Sequence, residues 1–485
     1  VNTTGSENTA VGRLSLDANT TGTNNAAVGN QALGANTTGN YNTAIGNEAL
    51  LTNTTANANT ALGNETLKVN TTGTRNTAAG ASALAANTTA NDNTAFGYTA
   101  LLANTTGIQN TAVGSFSLDG NTTGGQNTGL GNGALHANTT ASNNTAVGFN
   151  SLVANTTGAN NVAVGSLAFD ANTTGYESCA VGYSTLTANT TGYRNQGFGT
   201  ESLLLNTTGY DNTACGKSAI QNNTTGREHT AVGNYALQSG TTGIQNTAVG
   251  YNALSTCTTG NSNTAIGYRA LDAITTAAYA TAVGHDSFTN LTTGADNTAL
   301  GLQSGGTLTT GGQNTIIGMQ CNVSAAGAIK QTVLGCAVTA SGNSTTTLGF
   351  YTTDSTLAHG GTTWTAPSDV RLKEDIQDEE VGLNFINDLR PVTFRWKKGK
   401  DVPSDMRAYK ADSEERVMNG KYNHGFVAQE VKEVINKYNL KDGFDMWTED
   451  ETDGRQRIGE AALMPLMVKA VQELSAKVEE LESKL

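Results

Sequence analysis

The sequence predicts a mainly β protein in which a parallel β-solenoid of 17-residue repeats precedes a small α+β domain that ends in a coiled-coil helix. Three observations support this fold: a glycine that recurs every seventeen residues, an abrupt change of composition near residue 351, and a heptad pattern at the carboxyl end. The 485 residues include 57 Gly and only 4 Pro, which does not fit one large globular core. We therefore expect a shaft at 1–350, a linker at 351–367 and a second domain at 368–485.

The repeat is clearest in the stretches NTAVGRLSLDANTTGTN and NTAIGNEALLTNTTANA, which align without a gap. Twenty glycines follow the seventeen-residue step from Gly12 to Gly335, and Gly349 follows after only fourteen residues. A short period without insertions indicates that each repeat stacks on the preceding one. Because Asn, Thr and Gly are poor helix formers, each repeat is expected to be one coil of β structure.

Each coil is expected to contain two short strand-like segments, one at the apolar residue before the glycine and one at the leucine four residues after it. Val11 and Leu16 occupy these places in the first coil, and we expect both to be buried. The preceding alanine, Ala10, would then lie on a second, small apolar face that suits contact between chains. The NTTG turns are expected to place Gly or Asn at positive φ.

Stacking at the inter-strand distance of about 4.8 Å predicts a shaft about 90 Å long, with Asn and Thr side chains in hydrogen-bonded ladders. The stretch TAVGNYAL at residues 230–237 resembles the head repeats of trimeric autotransporter adhesins. This resemblance covers residues 1 to about 350 and implies three chains packed side by side. The membrane-barrel strands of that family do not follow the repeats, so its self-anchoring is not implied here.

Other chemical interpretations of the shaft are weaker. Glycine spacings of the nucleotide-loop kind in GQNTGLGNG belong to another copy of the repeat, and calcium-binding β-rolls need recurrent aspartates. Ice binding by the NTT threonines stays an alternative, whereas a glycan-degrading enzyme lacks paired carboxylates outside the repeat pattern. The five cysteines have neither metal-ligand spacing nor a disulfide framework, so we expect no metal and no cofactor.

Charge is concentrated at the carboxyl end, because residues 1–357 contain only 8 of the 27 Lys and Arg and 15 of the 40 Asp and Glu. The net charge of −13 and the lack of a basic face argue against nucleic acid as a partner. No stretch approaches the roughly 18 apolar residues that span a bilayer, so we expect no membrane insertion.

The charged carboxyl-terminal region predicts several regular elements. An amphipathic helix with Leu383, Ile386 and Leu389 ends before Pro391, and an alternating strand follows at residues 392–396. The stretch HGFVAQEVKEVINKY predicts a second helix with Val427, Val431, Val434 and Ile435 on one face. A coiled coil is expected at 463–485, with a heptad seam formed by Met464, Met467, Val471, Leu474, Val478, Leu481 and Leu485.

The stretches PSDVRLKEDI, GLNFINDLRPVTFRW and HGFVAQEV, followed by the coiled coil, resemble the C-terminal intramolecular chaperone of endosialidases and other phage tail spikes and fibres. The resemblance implies a serine-peptidase-like domain that trimerises the chain, assists folding of the shaft and then cuts itself away. It places the nucleophile on Ser368, the base on Lys373 and the cleavage site between Pro367 and Ser368. Such a domain acts on its own chain, and no external substrate is expected.

Physical chemistry sets conditions on this assignment. A serine hydroxyl needs a base, and a lysine can act as one only when burial lowers its pKa. Residues five apart are not neighbours on a helix, so Ser368 is expected before the helix, with Lys373 reached by a turn of the chain or in another subunit. The alternative is that Ser368 or Asp369 only caps a helix. His424 and Glu430 are expected to be structural.

Together these features predict a homotrimeric fibre of a phage tail or another extracellular filament, located on the virion, outside the cell or at the cell surface. A host receptor or glycan would be a further partner. The alternative function is a bacterial surface adhesin that binds a receptor or polysaccharide through its solenoid.

Overall fold

The computed structural model describes residues 2–440, 446–450 and 454–485. The chain divides into two compact units, and the boundary between them falls between Pro367 and Ser368. The first unit is a parallel β-solenoid of 17-residue repeats and the second combines short strands with helices, so the predicted fold class is confirmed.

Each coil of the described solenoid contributes one three-residue strand, which pairs in parallel with the strand seventeen residues later. The register is constant along the solenoid: Ala10 pairs with Ala27, and Ala27 with Ala44. The strands β1 to β19 are Thr9–Val11, Ala26–Val28, Thr43–Ile45, Thr60–Leu62, Thr77–Ala79, Thr94–Phe96, Thr111–Val113, Thr128–Leu130, Thr145–Val147, Val162–Val164, Cys179–Val181, Gln196–Phe198, Thr213–Cys215, Thr230–Val232, Thr247–Val249, Thr264–Ile266, Thr281–Val283, Thr298–Leu300 and Thr315–Ile317.

The prediction of a second strand-like segment around the leucine of each coil is wrong, because that leucine lies in a turn. Leu33 and Leu50 both have φ of 51°, in the left-handed region that costs a non-glycine residue about 1–2 kcal/mol. Both side chains are fully buried, and burying a leucine contributes about 1.5–3 kcal/mol, which offsets this strain. The prediction of positive φ within the NTTG turns is also wrong. Positive φ occurs at other positions of the coil, such as Gly29 at 137° and Tyr41 at 59°.

The glycine that defines the period is required by two constraints at once. Gly29 has φ of 137°, and a Cβ on it would lie 2.3 Å from the carbonyl oxygen of Gly46. Gly46 has the same relation to Gly63, at 2.2 Å. A side chain at this place would therefore both strain the backbone and separate neighbouring coils, which explains why the step runs unbroken through twenty glycines.

The assignment of faces made from the sequence is also wrong. The alanine at the centre of each strand is buried, with Ala27 and Ala44 at 0% exposure, whereas Val28 and Ile45 are 37% and 44% exposed. Neighbouring residues on a strand point to opposite sides, and the large leucine of each coil leaves room for only a methyl group beside it. The residues immediately before the invariant glycines therefore form a row of exposed and half-buried apolar side chains along the solenoid, which we call the outward column.

Two rows of buried asparagines connect the coils, which confirms the expected ladders. In the turn ladder, which runs from Asn19 to Asn223 in steps of seventeen, Nδ2 of Asn53 donates to Oδ1 of Asn36 at 3.0 Å and to the carbonyl of Ala56 at 3.1 Å. In the strand ladder, Oδ1 of Asn25 accepts from the backbone N–H of Asn42 at 2.9 Å. These bonds satisfy polar groups that burial would otherwise leave unpaired.

Threonines and apolar residues complete the stack. The hydroxyl of Thr37 donates to the carbonyl oxygen of Thr54 at 3.0 Å, and the same bond recurs along the solenoid. Beyond Asn223, the turn ladder gives way to Gly240 and then to the buried Cys257 and Ile274.

All five cysteines are free thiols.

The last coils end in a longer sheet edge. β20 (Gln331–Cys336) pairs in parallel with β21 (Thr345–Phe350) after the shortened step of fourteen residues. β21 then pairs antiparallel with β22 (Thr353–Ala358), which lies where the sequence indicates a linker. This hairpin covers the edge that the last parallel strand would otherwise expose.

The second unit contains three helices in its described residues, α1 (Leu383–Asp388), α2 (Ala428–Lys437) and α3 (Leu463–Glu482). Two antiparallel strand pairs accompany them, formed by β23 (Val392–Phe394) with β24 (Asn423–Gly425) and by β25 (Trp447–Glu449) with β26 (Gln456–Ile458). The buried core consists of Phe385, Leu389, Val431, Met446, Leu463 and Leu466. The predicted helices are therefore confirmed.

One buried position of the strand ladder carries a histidine in place of asparagine. Nδ1 of His229 accepts from the backbone N–H of Asn246 at 3.2 Å, the role that an asparagine oxygen has in other coils. Burial lowers the pKa of His229 to about 4, although the Gly243 carbonyl and the Glu228 carboxylate act in the opposite direction. The neutral imidazole is thus the form that fits the coil.

We expect Asn104→Ala to lower the free energy of unfolding of the solenoid by about 2 kcal/mol, because it leaves buried ladder groups without partners. Asn104 accepts from Nδ2 of Asn121 at 2.9 Å and donates to Oδ1 of Asn87 at 3.1 Å. Chemical denaturation followed by circular dichroism measures the effect. The exposed Thr106→Ala is the matched control, and equal losses in the two variants would contradict a role for the ladder.

We expect the solenoid to lose stability as the pH falls from about 6.5 towards 4, because the unfolded chain binds a proton at His229 more readily than the folded chain does. His229→Asn restores the asparagine of the repeat and should remove this part of the pH dependence. Denaturation midpoints of both proteins at pH 7.5 and pH 4.5 provide the measurement. Identical losses between these two pH values would show that His229 has no such effect.

Candidate functional site

The segment that follows the boundary between the two units begins with a single 3₁₀ turn, Val370–Leu372. Asp369 caps this turn, because its Oδ1 accepts from the backbone N–H of Arg371 at 2.9 Å. The guanidinium of Arg371 also pairs with the Asp369 carboxylate and lowers its pKa. Asp369 is therefore a structural cap, and Ser368 lies immediately before the turn.

The turn brings the two predicted catalytic residues together within one chain. Nζ of Lys373 donates to Oγ of Ser368 at 2.7 Å, although the residues are five apart in sequence. Lys373 is the residue at which the turn ends, and its extended backbone, with φ of −119°, directs the chain away from the turn. Of the two arrangements left open by the sequence, the structure contains the one in which the chain turns back on itself.

Both side chains of this pair are exposed in the single chain. A serine and a lysine in contact have the composition of a nucleophile and its base, and the base must be neutral to accept the serine proton. Burial is the usual means of favouring a neutral lysine. The pair therefore has the correct contact for nucleophilic catalysis and lacks the covering surface that such catalysis requires.

Two further polar residues of the unit have other partners. Nδ1 of His424 lies 3.4 Å from the Thr393 hydroxyl, across the antiparallel β23–β24 pair. Oε2 of Glu430, on α2, accepts from Nε of Arg390 at 2.9 Å, and this pairing lowers the pKa of Glu430. These contacts join β23 to β24 and α2 to the end of α1, which is a structural role.

A comparison with protein families identifies this region. Residues 368–440 match the family model described as the chaperone of endosialidase. The second unit thus carries a chaperone-of-endosialidase domain. The match begins at Ser368, and it supports the resemblance found in the sequence. No curated protein and no solved structure matches the chain.

The helix that follows the matched region presents two different faces. Leu463, Leu466 and Ala470 are buried, and farther along the helix Oε2 of Glu473 accepts from the backbone N–H of Leu383 at 2.8 Å, at the start of α1. The adjacent face, one residue further along at each position, carries the heptad seam, whose members within α3 are 45% to 65% exposed: Met464, Met467, Val471, Leu474, Val478 and Leu481. One side of α3 is thus fixed to the chaperone domain and the other is open.

The second unit also contains a groove that sequence patterns do not predict. It encloses about 710 Å³, and its lining includes the cations Arg395, Lys397, Arg455 and Arg457. The four cations come from two segments that are about sixty residues apart in the chain, which explains why spacing does not reveal them. The alternation of cations around Trp396 is the one local signal.

Metal sites and membrane-spanning helices are two further features that the described residues do not contain. Within the described residues, no group of three or more His, Cys, Asp or Glu is arranged to bind a metal ion. None of the helices in the described ranges combines the length and apolar character of a transmembrane span. The candidate site is the pair Ser368 and Lys373, in contact at the start of the chaperone domain.

Proposed function

We propose that this protein is a trimeric fibre of a phage tail or a similar extracellular filament, whose chaperone domain aligns three chains and then releases itself. A solenoid shaft joined to a chaperone-of-endosialidase domain fits a fibre-type protein with a C-terminal chaperone. The observation that carries the release step is the 2.7 Å contact between Lys373 and Ser368, at the boundary of the two units.

Release would proceed by attack of the serine on the peptide bond before it. The neutral Lys373 amine takes the hydroxyl proton, Oγ of Ser368 attacks the carbonyl carbon of Pro367, and the C–N bond breaks as its nitrogen gains a proton. Water then hydrolyses the ester, which leaves a carboxylate on Pro367 and restores the Ser368 hydroxyl. The products are residues 1–367 and 368–485.

Two exposed apolar surfaces support association of the chains. The outward column extends along the solenoid, with Val28, Ile45 and Leu62 as its first exposed large side chains after Val11. The seam of α3 has the heptad spacing of a coiled coil and is also exposed. Contiguous apolar surface of this extent is typical of an interface between proteins.

A separate domain is needed to align the three chains, because the coils of the shaft are nearly identical. Shifting one chain by a whole coil still places an outward-column residue opposite another, so the shaft alone specifies its alignment poorly. The seam of α3 and the chaperone domain occur once per chain and would set the alignment before the coils associate. Cleavage would then remove the aligning domain and make the assembled state hard to reverse.

We expect wild-type protein to give two fragments on a denaturing gel and Ser368→Ala to give one band at the full mass of 49.9 kDa. Without the hydroxyl, the chain has no nucleophile at this bond. Ser404→Ala, at another exposed serine of the same unit, should be cut like the wild type. If wild type and Ser368→Ala run at the same length, the release step is wrong.

We expect the uncut Ser368→Ala protein to have a native mass about three times the chain mass of 49.9 kDa in light scattering. Adding Val471→Glu and Leu474→Glu places two charges in the α3 seam and should abolish the trimer. Glu482→Gln, on the same helix but outside the seam, serves as the control. If Ser368→Ala protein with an unchanged seam has the mass of a single chain, the proposed trimer is wrong.

A further inference from the structure

The exposed Ser368–Lys373 pair needs a covering surface. The chain contains two complementary surfaces that could form one, an acidic segment next to the pair and a basic groove. Carboxylates next to a lysine favour its protonated form, whereas burial and nearby cations favour the neutral form that a base requires. Lys373 is followed at once by Glu374 and Asp375, and all three side chains are exposed. The pair will therefore work best where these carboxylates are neutralised and water is excluded.

The first surface is the acidic segment, defined as residues 370–380. It carries five exposed carboxylates, at Glu374, Asp375, Asp378, Glu379 and Glu380, and none of them forms an ion pair with a described residue. Its apolar side chains Val370, Leu372 and Ile376 are 66%, 73% and 65% exposed. Apolar and acidic side chains thus share one segment whose residues are all exposed.

The second surface is the basic groove, defined by the cations Arg395, Lys397, Arg455 and Arg457. Asp450 pairs with Arg457 at 2.9 Å and lies 3.7 Å from Arg455, whereas Arg395 donates to the carbonyl of Gly420 at 2.9 Å. Neither Arg395 nor Lys397 forms an ion pair with a described residue, so these two cations leave positive charge for a ligand.

Apolar groups line the basic groove between these cations. They include Met406, Val417 and Met418, and the last two are exposed. The volume of about 710 Å³ is enough for several side chains. A ligand that carries both carboxylates and aliphatic side chains fits this lining.

We propose that the acidic segment of one chain docks in the basic groove of a second copy, and that this contact completes the cleavage site. The charges are opposite, and both partners expose apolar side chains that the contact would bury. The exposed seam of α3 favours a second copy as the occupant, because it brings chaperone domains together. This inference rests on the proposed function.

Docking would change the surroundings of the Ser368–Lys373 pair in two ways. The groove cations neutralise Glu374 and Asp375, and the groove walls exclude water from the amine. Each chain gives its segment to one neighbour and receives a segment from the other, an arrangement that closes in a ring of three. Cleavage therefore occurs only after assembly, so a chain that has not found its partners keeps its chaperone.

Co-expression of two defective chains tests the contact. The groove variant, Arg395→Glu with Lys397→Glu, keeps Ser368 and should not be cut when expressed alone. Mixed with Ser368→Ala chains, whose grooves are intact, about half of the groove-variant chains should be cut, because random mixing at equal amounts places an intact groove beside half of them. A tag on the groove variant reports its own cleavage.

The outcomes separate the two proposals. Uncut wild type refutes the release step itself. If wild type is cut and the groove variant is also cut when expressed alone, docking in a second copy is wrong. Docking in a second copy is also wrong if the groove variant stays uncut in mixed trimers, which is the result expected if the groove acts on its own chain. Lys410→Glu with Lys421→Glu is a matched control for charge away from the groove lining and should be cut like the wild type.

A charge exchange guards against loss of folding. Adding Glu374→Lys and Asp375→Lys to the groove variant exchanges the charges of the two partners next to Lys373 and should restore cleavage to a single chain type. Light scattering on the uncut groove variant should still give a trimer, because the seam of α3 is unchanged. A charge exchange that stays uncut in a protein with trimer mass contradicts the contact.

Discussion

The close approach of one coil to the next is the constraint on which the rest of the solenoid depends. At the invariant glycines, neighbouring backbones come so near that a Cβ on Gly46 would lie 2.2 Å from the carbonyl oxygen of Gly63. This spacing holds the asparagine ladders at hydrogen-bond distance and lets small alanines fill the interior. A short coil with one leucine and two alanines becomes a continuous core only because every coil repeats the same contacts.

The same uniformity creates the need for a second kind of domain. Stacking repeats stabilise a shaft without specifying how far one chain is displaced from another. The outward column adds apolar surface that invites association but repeats with the coil. In the proposed trimer a unique element must supply alignment, and the chaperone-of-endosialidase domain with its α3 helix is the part of this chain that occurs once.

The chaperone domain combines a fixed core with exposed surfaces to which the proposed trimer gives a role. Its core holds α1, α2 and the first turns of α3 together around Phe385 and Val431. The Ser368–Lys373 contact, the acidic segment, the basic groove and the seam all lie outside that core and are open to water. Coupling the chemistry to assembly would prevent an early cut from separating the chaperone from an unfinished shaft.

The sequence alone determined the period, the order of the two units and the heptad of α3, because each depends on spacing along the chain. It also determined where Ser368 and Lys373 stand, through a resemblance carried by short motifs. Only the tertiary structure decided which way the strand residues point: Ala27 is inside and Val28 outside, since the leucine of the coil occupies the interior. It likewise showed Leu33 in a turn at positive φ, where burial outweighs backbone preference. The Ser368–Lys373 contact and the basic groove depend on how the chain turns and which distant segments meet, and spacing carries no information on either.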